Sequence, residues 1–281
     1  MAPTFFAQLA AGCLLIVGVS DIRNSGWKYL RLMALVSLGL AFLALLLIAR
    51  NDPSALKVWG GLSGGNATAN VFAVITLGAA ILQTVIWLVV NAVQADSIQP
   101  TQRIWPIIAG VSCLCAAAAV AFQPDMSLPG ARPTQLVGAD AVRAGISTAL
   151  GAVLLGGVTA GMLLGHRYLT DTDMPIAPLR RLTNIYLIAL IARVVWVAVL
   201  AWPILSDAFR PTGGALWFWI VLTIRGGVGL LGAAVFAWMI RDCVKSRATQ
   251  SATAIFYLSM VFVYLGELAG QYLLRTEGLA V

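Results

Sequence analysis

Eight runs of predominantly apolar residues, each about as long as a bilayer is thick, constrain this chain more than any other feature. A helix needs roughly 20 such residues to cross the hydrocarbon core. In lipid the backbone N–H and C=O groups must be satisfied within the segment, which selects helices or closed barrels. The runs cover 4–20, 30–49, 70–94, 104–122, 143–165, 182–203, 215–240 and 252–274. The breaks between them are short, and several hold Gly or Pro, as turns do. None is long enough for a separate soluble domain. The expectation is an all-α integral membrane protein: a single polytopic domain over 1–281 with about eight transmembrane helices.

Composition agrees. Charged residues are 10% of the chain, against roughly 25% in soluble domains. The mean hydropathy of +0.90 belongs to the membrane class. The formal charge of +7 would suggest nucleic acid in a soluble protein. Here the cations sit in short breaks between apolar runs, so they report topology and nucleic acid is not an expected partner. The expected partners are the bilayer and other membrane chains. No positive segment precedes the first run, which therefore reads as a retained helix rather than a cleaved signal.

Orientation follows from the Lys and Arg count. The first, third, fifth and seventh breaks hold 10, and the termini with the remaining breaks hold 6. The odd breaks are expected on the cytoplasmic side of a bacterial membrane, with both termini outside. The halves 1–138 and 139–281 also share a plan. Each opens on a Gly-bearing helix (Gly12 and Gly18; Gly157, Gly161 and Gly165), followed by a basic break and a second helix. A parallel four-plus-four duplication would produce this.

Ionisable residues inside a span cost roughly 2.5–3.5 kcal/mol each on insertion scales, so they have partners or a purpose. The chain has three: Arg193, Arg225 and Glu267. Arg193 lies ten positions from Pro203, Arg225 ten from Ala215, and Glu267 eight from Arg275. At about 1.5 Å per residue they share one level, and their helices are consecutive. Tyr257, Tyr264, Glu267 and Gln271 form one stripe at helical spacing. Glu267 also sits within Gly266-x-x-x-Gly270, which permits close helix approach. Tyr186 precedes Arg193 by one heptad, and Gly229 and Gly232 follow Arg225 on its own face.

Two accounts of this cluster follow. In the structural one, Glu267 pairs with one arginine while the other bonds backbone carbonyls or snorkels outward. In the functional one, two arginines and one glutamate leave a surplus positive charge, and an anion (lipid phosphate, cofactor carboxylate or substrate) occupies the site. Arg binds such groups bidentately. The candidate ligand-binding residues are therefore Arg193, Arg225, Glu267, Tyr264 and Gln271. In the first half the mid-helix polar residues are Gln83 and Asn91.

The single histidine, His166, excludes a bis-histidine haem within the chain and any centre needing several histidines. It reads as an interfacial side chain, or as a single axial ligand. The cofactor is otherwise undetermined. The four cysteines carry no metal or redox spacing: Cys113 and Cys115 form C-x-C on a helix and point to different faces. No phosphate-binding loop, nucleophile elbow or zinc-protease motif appears. Six tryptophans, Trp27, Trp59, Trp105, Trp202, Trp217 and Trp219, fall near helix ends as an interfacial belt.

With no catalytic or metal set, the first expectation is a non-catalytic membrane subunit or accessory protein of a larger, electron-transfer-type assembly. A secondary transporter of a small anion or weak acid is the second. A lipid- or quinone-modifying enzyme using Glu267 is the third.

Overall fold

The computed structural model describes residues 1–20, 26–51, 65–93, 104–121, 139–171, 174–205 and 215–281. Among these residues there is no strand. The elements are α1 (Ala2–Val19), α2 (Trp27–Asn51), α3 (Gly65–Val93), α4 (Ile104–Ala121), α5 (Ala139–Thr170) and α6 (Ala177–Leu205). Then come α7 (Ala215–Thr223), a π-helix (Ile224–Gly232), α8 (Ala233–Lys245) and α9 (Thr249–Glu277). With α7, the π-helix and α8 taken as one span, eight helices among the described residues are long and apolar enough to cross a membrane.

Several helices, α2, α5, α6 and α9 among them, overrun their apolar runs at the polar ends. α5 starts at Ala139 rather than 143, with Asp140 in its first turn and Arg143 bonded to it at 3.0 Å. Continuing the backbone ladder into the headgroup zone costs little, and an acid in the first turn suits the helix dipole.

The chain packs as two groups of four spans. α1 contacts α2 and α4, and α3 contacts α2 and α4. In the second group α5 contacts α6 and α9, α6 contacts α8, and α8 contacts α9. α1 and α5 then pack on each other and join the groups. Burial follows: 78% of the α1 window is buried and 67% of the α5 window, but only 28% in α3 and α6. The outer helices turn Leu82, Ile188, Leu216 and Leu231 outward, as lipid-facing surfaces do.

Small residues set the helix spacing. A Cβ on Gly12 would lie 1.9 Å from the Ala152 carbonyl oxygen, and one on Gly156 only 2.2 Å from the Gly12 carbonyl carbon. Here backbone meets backbone, as membrane helices allow only at small residues. Likewise a Cβ on Gly229 would lie 2.3 Å from the Gly266 Cα. The neighbouring Gly161 and Gly165 of α5 receive the Phe256 ring and the Thr253 side chain of α9.

Two details depart from regular helical periodicity. The seventh span, read from sequence over 215–240, is helical throughout but changes to π-type pairing through Ile224–Gly232. The run Arg225-Gly226-Gly227-Val228-Gly229-Leu230-Leu231-Gly232 is poor in side chains that would stabilise an α-turn there. Its wider turn also lets Gly229 and Gly232 both meet α9, at Gly266 and Phe262. Secondly, Tyr257 does not join the buried stripe of α9. It is exposed, with its hydroxyl 3.5 Å from His166 Nδ1. Of the tryptophan belt, Trp217 bonds the Tyr272 hydroxyl at 2.9 Å, while Trp59 lies outside the described residues and nothing is described of the Trp202 side chain. Cys113 is buried and Cys115 exposed, so their faces differ as their spacing requires.

The buried Arg193–Glu267–Arg225 cluster

α6, the π-helix and α9 bring the three intramembrane charges together. Glu267 is 1% exposed, Arg225 1% and Arg193 2%. Arg193 bonds the carboxylate with two nitrogens: Nε donates to Oε1 and Nη2 to Oε2, both at 3.0 Å. This is the bidentate fork that gives guanidinium–carboxylate pairs their strength and direction. Arg225 Nη1 donates to the same Oε1 at 2.9 Å. The carboxylate therefore serves both arginines. The second arginine is expected from sequence to turn to backbone carbonyls or snorkel outward; instead Arg225 is buried and spends Nη1 on the shared carboxylate.

The helix backbones explain how three long side chains fit. Gly151 of α5 faces the carboxylate: a Cβ there would lie 2.6 Å from Oε2. Gly270 and Gly266 leave room for the Arg225 guanidinium, with a Gly270 Cβ 3.1 Å from Nε and a Gly266 Cβ 3.5 Å from Nη1. The small-residue spacing read from the sequence thus does two things. It admits the π-helix backbone at Gly266 and accommodates a guanidinium.

Further residues belong to the cluster that the sequence did not single out. Ser147 of α5 accepts from Arg193 Nη1 at 2.7 Å. Gln271 Nε2 donates to Gln8 Oε1 on α1, and Gln8 Nε2 donates to the Thr148 carbonyl oxygen at 3.1 Å. One turn on, Arg275 Nη2 donates to Thr4 Oγ1 at 2.5 Å. Tyr264 shares a 2.8 Å hydrogen bond with Thr159 one turn the other way. The stripe of α9 is therefore Tyr264, Glu267, Gln271 and Arg275, and every member bonds a side chain on another helix. A Gln, Ser or Thr costs far less in a membrane than a charge and is common there, so these partners raise no signal by themselves.

The bonding leaves one feature unbalanced. Counted over Arg193, Arg225 and Glu267 alone, two guanidinium charges against one carboxylate sum to +1 (2 − 1). Arg225 Nε and Nη2 are buried without a hydrogen-bond partner among the described residues. Nε lies beside Gly270, whose Cβ would be 3.1 Å from it and 2.8 Å from the Val281 main-chain oxygen. The chain reaches this place by turning at Gly278, φ 71°, so that Val281 is 1% exposed and the Ala280 carbonyl accepts from Trp196 Nε1 at 3.1 Å.

His166 is far from this network in kind as well as place. It is exposed at the end of α5, among interfacial residues, with Arg167 ion-paired to Asp171 at 3.7 Å. Among the described residues no group of three His, Cys, Asp or Glu side chains is arranged to hold a metal ion. Among the described residues Gln83 and Asn91 each keep a buried carbonyl oxygen without a hydrogen-bond partner, and Asn91 Nδ2 donates to the Trp87 carbonyl at 2.7 Å. Comparison with protein-family models, with curated proteins and with solved structures finds no match.

Proposed function

We propose that the chain is a non-catalytic multi-pass subunit or accessory protein of a larger membrane assembly, and that Arg225 holds one anionic group at the centre of its bundle. The observation that carries this is the buried, unpartnered Nε–Nη2 edge of Arg225 beside a net +1 charge. Unpaired buried donors are expensive, and a phosphate or carboxylate engaging both would remove the cost. Glu267 is held by three N–H donors in a fixed network. Such a carboxylate is a structural acceptor, which favours a scaffold over a proton-coupled carrier or an acid–base enzyme. The paired four-span groups also fit an internal duplication of 1–138 and 139–281, with only the second copy keeping charges.

The test is native mass spectrometry of the full chain extracted from its own membrane. Wild type is expected to retain other protein chains and a small phosphate- or carboxylate-bearing molecule, and Arg225→Met to lose the small molecule. A clean monomer overturns the subunit reading. Equal retention of the small molecule by Arg225→Met overturns the site.

Orientation belongs to the same reading. The described ends of α1/α2, α5/α6 and α8/α9 carry most of the exposed cations, and the positive-inside bias supports reading that face as cytoplasmic, with both termini outside a bacterial cytoplasmic membrane. On intact cells, Arg143→Cys is expected to react with an impermeant thiol reagent and Lys28→Cys to stay unlabelled. The reverse pattern inverts the topology.

A further inference from the structure

A second basic site lies apart from the buried cluster, at the polar end of the groove between α6 and α8. A cavity of about 390 Å³ is lined by Arg180, Thr183 and Asn184 of α6 and by Arg241, Val244 and Lys245 of α8. Its size is that of a small-ligand pocket. Arg180, Asn184, Arg241 and Lys245 are exposed, while Thr183 and Val244 form its buried floor. Thr183 spends its hydroxyl proton on the Leu179 carbonyl at 2.8 Å, so the donors that face the cavity belong to the two arginines, the lysine and the asparagine amide. Among the described residues no acid lines the cavity; Asp242 approaches Lys245 at 3.7 Å, and counted with the three lining cations it leaves +2 (3 − 1).

The walls continue into lipid-facing surface. On α6, Arg180 and Asn184 lead at helical spacing to Ile188, Ile191 and Val195, all exposed. On α8, Lys245 and Arg241 lead to Trp238, also exposed. A cationic cup at the end of a span with an apolar track running from it toward the bilayer centre has the shape of a phospholipid: phosphate in the cup, acyl chains along the track. A free phosphate ion would use the cup and leave the track without purpose.

We infer that this groove is a binding site for an anionic phospholipid, whose headgroup phosphate is held by Arg180, Arg241 and Lys245. Guanidinium forks favour the phosphodiester oxygens, and Trp238 sits where an indole borders the acyl region. The site is independent of Arg225 and of what the chain assembles with.

The experiment uses the full chain in lipid nanodiscs, reading the apparent dissociation constant of phosphatidylglycerol against phosphatidylcholine by native mass spectrometry. Wild type is expected to prefer phosphatidylglycerol. The triple variant Arg180→Gln, Arg241→Gln, Lys245→Gln is expected to weaken its binding about 100-fold, at roughly fivefold per cation removed. If the triple variant fails to fold, Arg241→Gln and Lys245→Gln alone carry the same reading at roughly fivefold each. A control pair at the opposite face, Arg50→Gln with Arg143→Gln, is expected to leave it unchanged. Equal loss in the control, or no preference for phosphatidylglycerol in wild type, overturns the site. Displacement of the lipid by millimolar inorganic phosphate overturns the lipid assignment in favour of a soluble phosphate ion.

Discussion

Glu267→Gln is expected to destabilise the bundle by about 3–5 kcal/mol, the cost of breaking a buried ion pair by removing one partner. The variant leaves two guanidinium groups, +2, at a place that is at most 2% exposed. Arg225→Met is expected to cost less than about 1.5 kcal/mol, because the Arg193–Glu267 fork survives it and the cluster becomes neutral (1 − 1). The double variant returns to +1 and is expected to recover part of the loss, a coupling that a double-mutant cycle measures directly. Denaturant titration of the purified full chain, followed by tryptophan fluorescence, gives all four stabilities. If Glu267→Gln is no less stable than Arg225→Met, the carboxylate is not the centre of the cluster.

The second large effect is steric. Gly12→Ala and Gly156→Ala are each expected to cost about 3 kcal/mol, the upper end of the usual range for overpacking. The added methyl meets backbone atoms at 1.9 Å and 2.2 Å, and backbone cannot rotate away as a side chain does. The strain falls on the α1–α5 contact that joins the two four-span groups, so α1 would have to separate from α5 along its length. Gly39 and Gly78 provide the contrast, since nothing lies within 4 Å of a Cβ on either. Gly39→Ala and Gly78→Ala are expected to be neutral or to gain up to about 1 kcal/mol from helix propensity. The same titration tests both. Similar midpoints for Gly12→Ala and Gly39→Ala would mean that the close approach does not limit stability.

Much of the buried cluster is legible in the primary structure. Arg193, Arg225 and Glu267 stand out because a charge in an apolar run is costly, and counting residues from the helix ends puts all three at one depth. Tyr264 and Gln271 follow from helical period. Gly266 and Gly270 follow from their spacing. The pairing does not follow. Nothing in the local pattern says that one carboxylate would serve both arginines, or that Arg225 would keep two donors unpartnered. Gln8, Ser147 and Gly151 stay hidden because each is an ordinary residue in its own helix. They become site residues only where α1 and α5 meet α9.

Sequence alone determined the membrane class, the eight spans and which side chains must find partners inside them. Those are properties of one helix at a time: length against bilayer thickness, and the cost of a charge in hydrocarbon. Tertiary structure decided which helices touch, the shared use of Glu267, the π-helix at the glycine run and the cationic groove between α6 and α8. Each of these depends on the distance and rotation between helices. Helical periodicity describes the faces of a single helix and carries no information about the neighbour each face will meet.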